Sequence, residues 1–423
     1  TWVNQRLLYT HGYGLALTPV NEVDPQGLPV LMVKDIPPTG KIAVEQPGIY
    51  FGEKTGDYVI TNTKTQEFDY PAGDENVFTS YEGSSGISLN GFVRKLAYAW
   101  EMGDFNILIS SELTKDSRIL YNRNIQSRVN RLAPFLLLDN DPYLVISEGR
   151  LYWIQDAYTA TGRYPYSTPQ AGGLNYIRNS VKAVIDAYNG SVTFYVSDPD
   201  DAIIRTYASI FPDLFAPIDD MPQELRNHLR YPEGLFNIQA QTYLSYHMTD
   251  ARIFYNKEDL WQIPREVYFG SEQPVAPYYV IMRLPGEETE EFLLMMPFTP
   301  VDKKNTIGWL AARCDGDNYG KLLAFSFPKE QWIDGPSQVE NRIGQDTVIT
   351  EQLALWGRGG STVIRGNLLL IPLGNSILYV EPVFLQAEGG GLPELKRIIV
   401  ATSDKIAMKP TLAESLAEVF GES

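Results

Sequence analysis

The sequence is poor in the residues that most often mark chemistry. It holds one cysteine, Cys314, and three histidines, His11, His228 and His247, in 423 residues. One thiol closes no intrachain disulfide and builds no cysteine-rich zinc site. No two histidines stand at the i, i+4 spacing that sets two imidazoles on one metal. A chain of this length supports its own core, so scarce cysteine does not fix the compartment. Positive charge is also short: 35 Lys and Arg face 52 Asp and Glu, for a net charge of −17. Binding to nucleic acid phosphates runs on basic side chains and is disfavoured, as is broad docking on anionic lipid headgroups. Long apolar runs are lacking too. The longest uncharged stretch, 234–249, has 16 residues and includes Asn, Gln, Thr, Ser and His. A bilayer span needs about 20 mostly apolar residues. No signal peptide is evident, and the start at Thr1-Trp2 without a Met reads as a fragment or processed form.

What is present is an aromatic-rich globular composition, 44% hydrophobic with 26 Tyr, 18 Phe and 7 Trp, which suits strands and stacked surfaces. Gly48-Ile-Tyr-Phe-Gly52 and Tyr58-Val-Ile-Thr61 read as a hairpin, with Glu67-Phe-Asp-Tyr70 as a third strand. Leu89, Phe92, Val93, Leu96, Ala97 and Trp100 fall on one helical face, predicting a helix over 89–102 capped by Ser88 and stopped by Gly103. Thr114 is expected to open a second helix. The spacing of Ile177, Val181, Ile185 and Tyr188 predicts a helix over 175–188. Prolines at 199, 222 and 232 suit helix starts, so 198–262 reads as mostly helical. Further on, runs 278–284 and 291–297, 307–314 and 321–327, 368–373 and 377–384, and 396–401 and 405–409 pair across short turns such as Gly374-Asn375-Ser376. A helix lies near 347–356, and Thr411-Leu-Ala-Glu414 is a capping box for a last helix. The class is α+β, with mainly antiparallel sheets built from hairpins and meanders and a helical region near the middle. The chain reads as one large domain, 1–423, with 150/151 as the point where two lobes would part.

The chemical motifs are weak. Gly12-Tyr-Gly14 has neither the third glycine nor the lysine of a phosphate loop, and Gly359-Gly360 and Gly389-Gly-Gly391 read as flexible turns. Gly83-Ser-Ser-Gly86 is not a nucleophile elbow, because Ile87 stands where a second glycine is needed. Asp315-Gly-Asp-Asn-Tyr-Gly320 places Asp315, Asp317 and Gly320 as in a calcium loop. Tyr319 and Ser326 stand where ligands are required, so Asp315 and Asp317 are weak calcium candidates beside the simpler reading of a hairpin turn. Asp139-Asn-Asp141 is a second short acidic turn. Cys314 reads as buried packing, since the adjacent Asp315 opposes thiolate formation. Lys115, Arg118, Arg123, Arg128 and Arg131 scatter around a helical axis and read as a solvated helix, with an anion or partner site as the alternative. Tyr158, Tyr164 and Tyr166 read as packing before sugar stacking. Paired carboxylates are too frequent to single out a glycosidase dyad. No cofactor is expected.

Several longer stretches resemble a known family. They include Thr10-His-Gly-Tyr-Gly14, Glu67-Phe-Asp-Tyr-Pro71, Asp141-Pro-Tyr-Leu-Val-Ile146, Gly149-Arg-Leu-Tyr-Trp-Ile154, His228-Leu-Arg-Tyr-Pro232, Pro277-Tyr-Tyr-Val-Ile-Met-Arg-Leu-Pro-Gly286 and Pro393-Glu-Leu-Lys-Arg397. Together they make the chain similar to uncharacterised protein family 0182, over essentially its whole length. The resemblance implies a bacterial multi-pass membrane protein with several transmembrane helices followed by a large soluble domain. This chain would be that domain, on the outer side of the cell membrane, with Trp2, Val3, Leu7 and Leu8 near the bilayer. The family carries no established activity, so no catalytic residue is implied. The expected partners are the protein's own N-terminal transmembrane region and an unknown protein or envelope ligand, with no nucleic acid. The expected role is non-catalytic binding, transport assistance or envelope support. A carboxylate-based envelope glycan hydrolase is the alternative.

Overall fold

The computed structural model describes residues 1–170, 172–268, 270–328, 330–358, 360–374 and 376–421. The turn residues Gly359 and Asn375 lie outside them. The chain forms two compact units, 1–18 with 31–235, and 19–30 with 236–423. Position 150/151 falls at the start of a strand inside the first unit rather than at its edge. The class is α+β with mainly antiparallel sheets, in agreement with the hairpin reading.

The first unit is built on a six-stranded sheet. Strand Arg150–Thr161 pairs with Tyr143–Ser147, Leu137–Leu138 and Tyr176–Asp186. Tyr176–Asp186 then pairs with Val192–Val196, and only the last partner, Phe215–Pro217, runs parallel. The helix expected over 175–188 is thus a strand. Its apolar residues satisfy a 3.6-residue period, but β-branched Val181, Val184 and Ile185 are buried between two neighbouring strands, where both faces of the sheet are covered. Such a strand carries no polar face to betray its period of two.

Helix α1, Phe92–Glu101, starts three residues later than the expected Leu89, with Gly91 in place of Ser88 at its cap; Gly103, at φ 61°, ends it in the left-handed region. Helix α2, Asn106–Ile109, packs beside it. The inward side of this pair is Tyr98, Ala99, Met102, Ile107 and Leu108, on a core of Leu7, Tyr58, Ile60, Leu89 and Ile119 with Trp2 and Val3 against it. The expected 48–52/58–61 hairpin does not form. Gly48–Ile49 pairs with Gly12–Tyr13, and Val59–Thr61 pairs with Arg118–Leu120. Arg118–Leu120 occupies the place of the helix expected from Thr114; helix α3, Ile125–Leu132, begins only after Asn124, whose Oδ1 accepts from Ser127 N at 2.9 Å. The remaining helices of this half are α4, Ala202–Ile210, α5, Gln223–Arg226, and α6, Glu233–Tyr246. The unit boundary falls within α6.

The second unit holds helix α7, Ala251–Asn256, and two five-stranded antiparallel sheets. In one, Glu290–Pro300 lies between Tyr278–Arg283 and Gly308–Arg313, and Leu322–Ser326 follows. In the other, Ser376–Ala387 lies between Leu369–Leu373 and Glu394–Ala401 and also takes Ser361–Arg365. Ile406–Lys409 closes that sheet. These are the four pairings expected from the turns. Helices α8, Pro336–Gln345, and α9, Thr347–Trp356, meet at Asp346, whose Oδ1 accepts from Ile349 N at 3.0 Å. Helix α10, Leu412–Phe420, has its reciprocal capping box: Thr411 Oγ1 accepts from Glu414 N and Glu414 Oε2 from Thr411 N, both at 3.2 Å.

Candidate functional site

Two of the signature stretches meet inside the first unit. Glu67 is buried, and its carboxylate accepts from Thr10 Oγ1 at 2.6 Å, Tyr50 OH at 2.8 Å and Tyr81 N at 3.1 Å. His11 stacks on Tyr50 with centroids 4.5 Å apart; its Nδ1 lies 2.8 Å from Thr10 Oγ1 and its Nε2 3.1 Å from Asp69 Oδ1. Thr10, His11 and Asp69 therefore stand in the order nucleophile, base, orienter. The chemistry does not follow, because Thr10 is fully buried and its proton is held by Glu67. Burial and the Glu67 charge push the Tyr50 hydroxyl far above its ordinary range, so it stays a donor. The cluster braces the fold, and no spacing rule signals it, since its members are far apart in sequence.

The arginines expected on a solvated helix divide. Lys115 and Arg131 are exposed. Arg123 is buried and donates to the carbonyls of Tyr50 at 2.7 Å, Asp57 at 3.2 Å and Thr10. Burial pulls its guanidinium down to about 10, which keeps it charged at neutral pH. Arg118 donates to the carbonyls of Ser84, Ser85 and Gly86, and Arg128 donates to Gly190 O at 2.6 Å. Three of the five thus tie loops to the core. The forked guanidinium can reach several carbonyls at once, which the charge pattern alone does not reveal.

Lys182 and Asp156 form a fully buried ion pair, and burial drives the Asp156 carboxyl up against the pull of Lys182. Beside it, Asp139 accepts from Tyr158 OH at 2.5 Å and, through Oδ1, from Asp141 N at 3.0 Å. Gly234 permits this approach: a Cβ there would sit 2.4 Å from Asp139 Oδ2. Tyr158 is thus a core residue, Tyr164 stacks on Tyr176 at 4.9 Å, and Tyr166 is exposed. His228 Nε2 lies 3.1 Å from Ile146 O, and His247 stacks on Trp261 with both ring nitrogens at backbone carbonyls.

The second unit carries a cleft of about 550 Å³, lined by Trp332, Asp334, Tyr379, Asp404, Lys405 and Phe420 among others. The loop before α8 supplies Trp332 and Asp334, the 402–405 turn supplies Asp404 and Lys405, and α10 supplies Phe420. Trp332 Nε1 donates to Asp334 Oδ1 at 3.0 Å, and Arg342 bridges Asp334 Oδ2 at 3.0 Å to Thr402 O at 2.8 Å. Tyr379 OH donates to Asp334 O. The hydroxyl of Thr402, then that of Ser403, holds the Asp404 carboxyl below its usual range. Lys405 Nζ donates to Val419 O at 2.9 Å, at the last turn of α10. Both carboxylates are fixed by donors, while Trp332, Phe420 and Leu373 stand exposed. Aromatic faces around fixed polar groups make a recognition surface.

A buried carboxylate network in the same unit is built from other residues than those that line the cleft. Arg365 bridges Glu381, which it meets through two nitrogens, and Glu340. Burial, then the neighbouring Glu381 charge, pushes the Glu340 carboxyl up to about 7. Among the described residues its Oε1 has no hydrogen-bond partner. Glu266 adds a third buried carboxylate, accepting from Asn367 Nδ2 at 2.8 Å and Leu368 N at 3.3 Å.

The calcium candidates Asp315 and Asp317 share one exposed turn that contains a short 3₁₀ segment. Asp315 Oδ2 accepts from Phe292 N at 2.7 Å and so ties the turn to a neighbouring strand. Among the described residues, no three His, Cys, Asp or Glu side chains are grouped to hold a metal ion. Cys314 is buried.

The chain belongs to the uncharacterised protein family UPF0182, whose profile matches residues 1–356. A UPF0182 protein of Pelotomaculum thermopropionicum is 55% identical over all of this chain and 46% of its own length. Those of Desulforamulus reducens and Trichodesmium erythraeum are 53% and 52% identical, again over all of this chain, and are covered over 46% and 48% of their lengths. The chain thus spans about half the length of these relatives and corresponds to part of a larger protein. Among the described residues, no helix is long and apolar enough to cross a membrane. No solved structure matches the chain.

Proposed function

We propose that this chain is the extracytoplasmic binding part of a bacterial integral membrane protein, without catalytic activity of its own. It would act next to a transmembrane region of the same protein, on an envelope polymer or a protein partner. The observation that carries the binding role is the cleft of the second unit. Its aromatic rim is exposed, and its carboxylates, Asp334 and Asp404, are already committed to fixed donors, an arrangement suited to holding a ligand rather than moving its protons. The membrane location is supported by the resemblance stated above and by the extra length of the relatives.

Location is tested with Glu288→Cys, in an exposed turn, in the full-length protein in intact cells. Buried Cys314 is the internal control. Labelling by a membrane-impermeant maleimide is expected without lysis; labelling only after lysis would sink the outward placement. Binding is tested by quenching of Trp332 emission with solubilised cell-envelope polysaccharide, compared with Trp332→Phe. An identical response in both proteins would remove the cleft from the reading. The second reading, a carboxylate-based envelope hydrolase, is favoured only by the near-neutral Glu340; turnover of envelope glycan abolished in Glu340→Gln would establish it.

A further inference from the structure

The outward side of α1 is apolar. At about 100° per residue, Phe92, Leu96, Trp100 and Val93 fall within one arc of about 100°. The spacing predicts one apolar face, and the fold leaves much of it exposed. Trp100 is 88% exposed, Val93 77% and Phe92 68%, while Tyr98, Ala99 and Met102 face the core. From the adjoining α2 segment, Phe105 and Ile109 stand out as well, each about two-thirds exposed (66% and 64%). Single exposed apolar residues are ordinary on a protein surface, but six on one helix pair are not.

We infer that this face inserts into the interfacial layer of a lipid bilayer. Three observations favour lipid. The surface is a helix ridge rather than a groove, and Trp and Phe are the side chains that settle where hydrocarbon meets water. In a chain with 52 acidic residues the arc itself carries none; Lys95 lies on one side of it, and on the other Ala97 is followed by Glu101 and Arg94. The long side chain of Lys95 can reach headgroup phosphates while its stem lies along the apolar ridge. Finally, Trp2 Nε1 donates to Asp104 Oδ2 at 2.8 Å, in the link between α1 and α2, so the first residues of the chain lie beside this face. Leu7 is buried and Trp2 is fastened inward, so in this placement the side chains that enter the lipid are those of α1, with the N-terminal residues next to them. The inference rests on the membrane reading above and adds the surface that meets the lipid.

The test is flotation of the 423-residue chain with dioleoylphosphatidylcholine vesicles. Flotation is expected and should persist at high salt, because apolar insertion drives it. Leu96→Ser with Trp100→Ser should weaken partitioning about tenfold or more, with unchanged melting temperature, since both side chains are exposed. Leu355→Ser, at an exposed apolar residue of α9, should leave it unchanged. No flotation at millimolar lipid, or equal flotation of the double variant, overturns the inference. So does a lipid-free dimer in sedimentation velocity that the double variant abolishes, since a second copy would then own the face. Glu288→Cys labelled from outside with no flotation leaves the membrane reading standing and this inference fallen; flotation with Glu288→Cys labelled only after lysis is the reverse.

Discussion

Glu340 should make the stability of the second unit depend on pH in the direction opposite to most carboxylates. Its carboxyl is raised from 4.5 to about 7, by burial first and by the Glu381 charge second, with Arg365 pulling the other way. The folded chain therefore holds a proton on Glu340 between pH 4.5 and about 7 that the unfolded chain has released. Stability from this group is complete below pH 4.5 and is lost as pH rises through 7. At about 1.4 kcal/mol per pH unit the full loss is about 3–4 kcal/mol, most of it falling between pH 5 and pH 8. Glu340→Gln keeps the shape and cannot ionise, so it should remove this loss. The measurement is urea unfolding of both proteins at pH 5 and pH 8, comparing the two differences so that all other titrating groups cancel. The variant is expected to gain about 2–3 kcal/mol on the wild type in going from pH 5 to pH 8. Parallel pH dependence of the two proteins would refute the argument, as would a wild type that gains on the variant with rising pH.

Arg123→Met should destabilise the first unit by about 3 kcal/mol or more in urea unfolding, because two buried carbonyls and a third that is partly buried lose their donor. Arg123→Lys should recover less than half, since one ammonium cannot span three acceptors. Gly234→Ala should cost about 1–3 kcal/mol by driving a methyl into Asp139 Oδ2, whereas Gly344→Ala, inside α8 with open space around it, should gain up to about 1 kcal/mol; equal effects in unfolding midpoint would contradict the contact argument. Asp315→Ala should lower the melting temperature by loosening the turn from Phe292. Calcium added after chelation should shift the wild type no more than the variant, and a calcium-specific gain seen only in the wild type would restore Asp315 and Asp317 as ligands.

The parts of the fold legible in the sequence are those fixed by local chemistry. The capping box at Thr411 and Glu414 and the four late strand pairs need only neighbours in sequence, and all are where the turns placed them. Strand Tyr176–Asp186 was not legible, because a strand buried on both faces loses its alternation and its apolar residues match a helical period by coincidence. The stripe on α1 was legible as a stripe, but amphipathicity does not say which side meets the core; Tyr98 and Met102 won that place. The knot around Glu67 joins residues from Thr10 to Tyr81, and the buried glutamates join Glu266 to Glu381, so only three-dimensional structure assembles them. The cleft was invisible for the same reason: its walls come from a loop, a turn and a helix end.

The excursion of residues 19–30 into the second unit has a consequence for synthesis. Leu395 N donates to Gly27 O at 2.8 Å, and Lys396 Nζ reaches Gln26 O across 370 residues of sequence. At roughly 5–20 residues per second the ribosome needs about 20–70 s to make that interval. Throughout it, the early segment has emerged while Leu395 and Lys396 are still to be made, and the chain on both sides of it already belongs to the other unit. The first unit must therefore close around a loop left waiting, and the second is finished only when that loop is collected. A fragment beginning after α6 would lack this piece of its own sheet edge from birth.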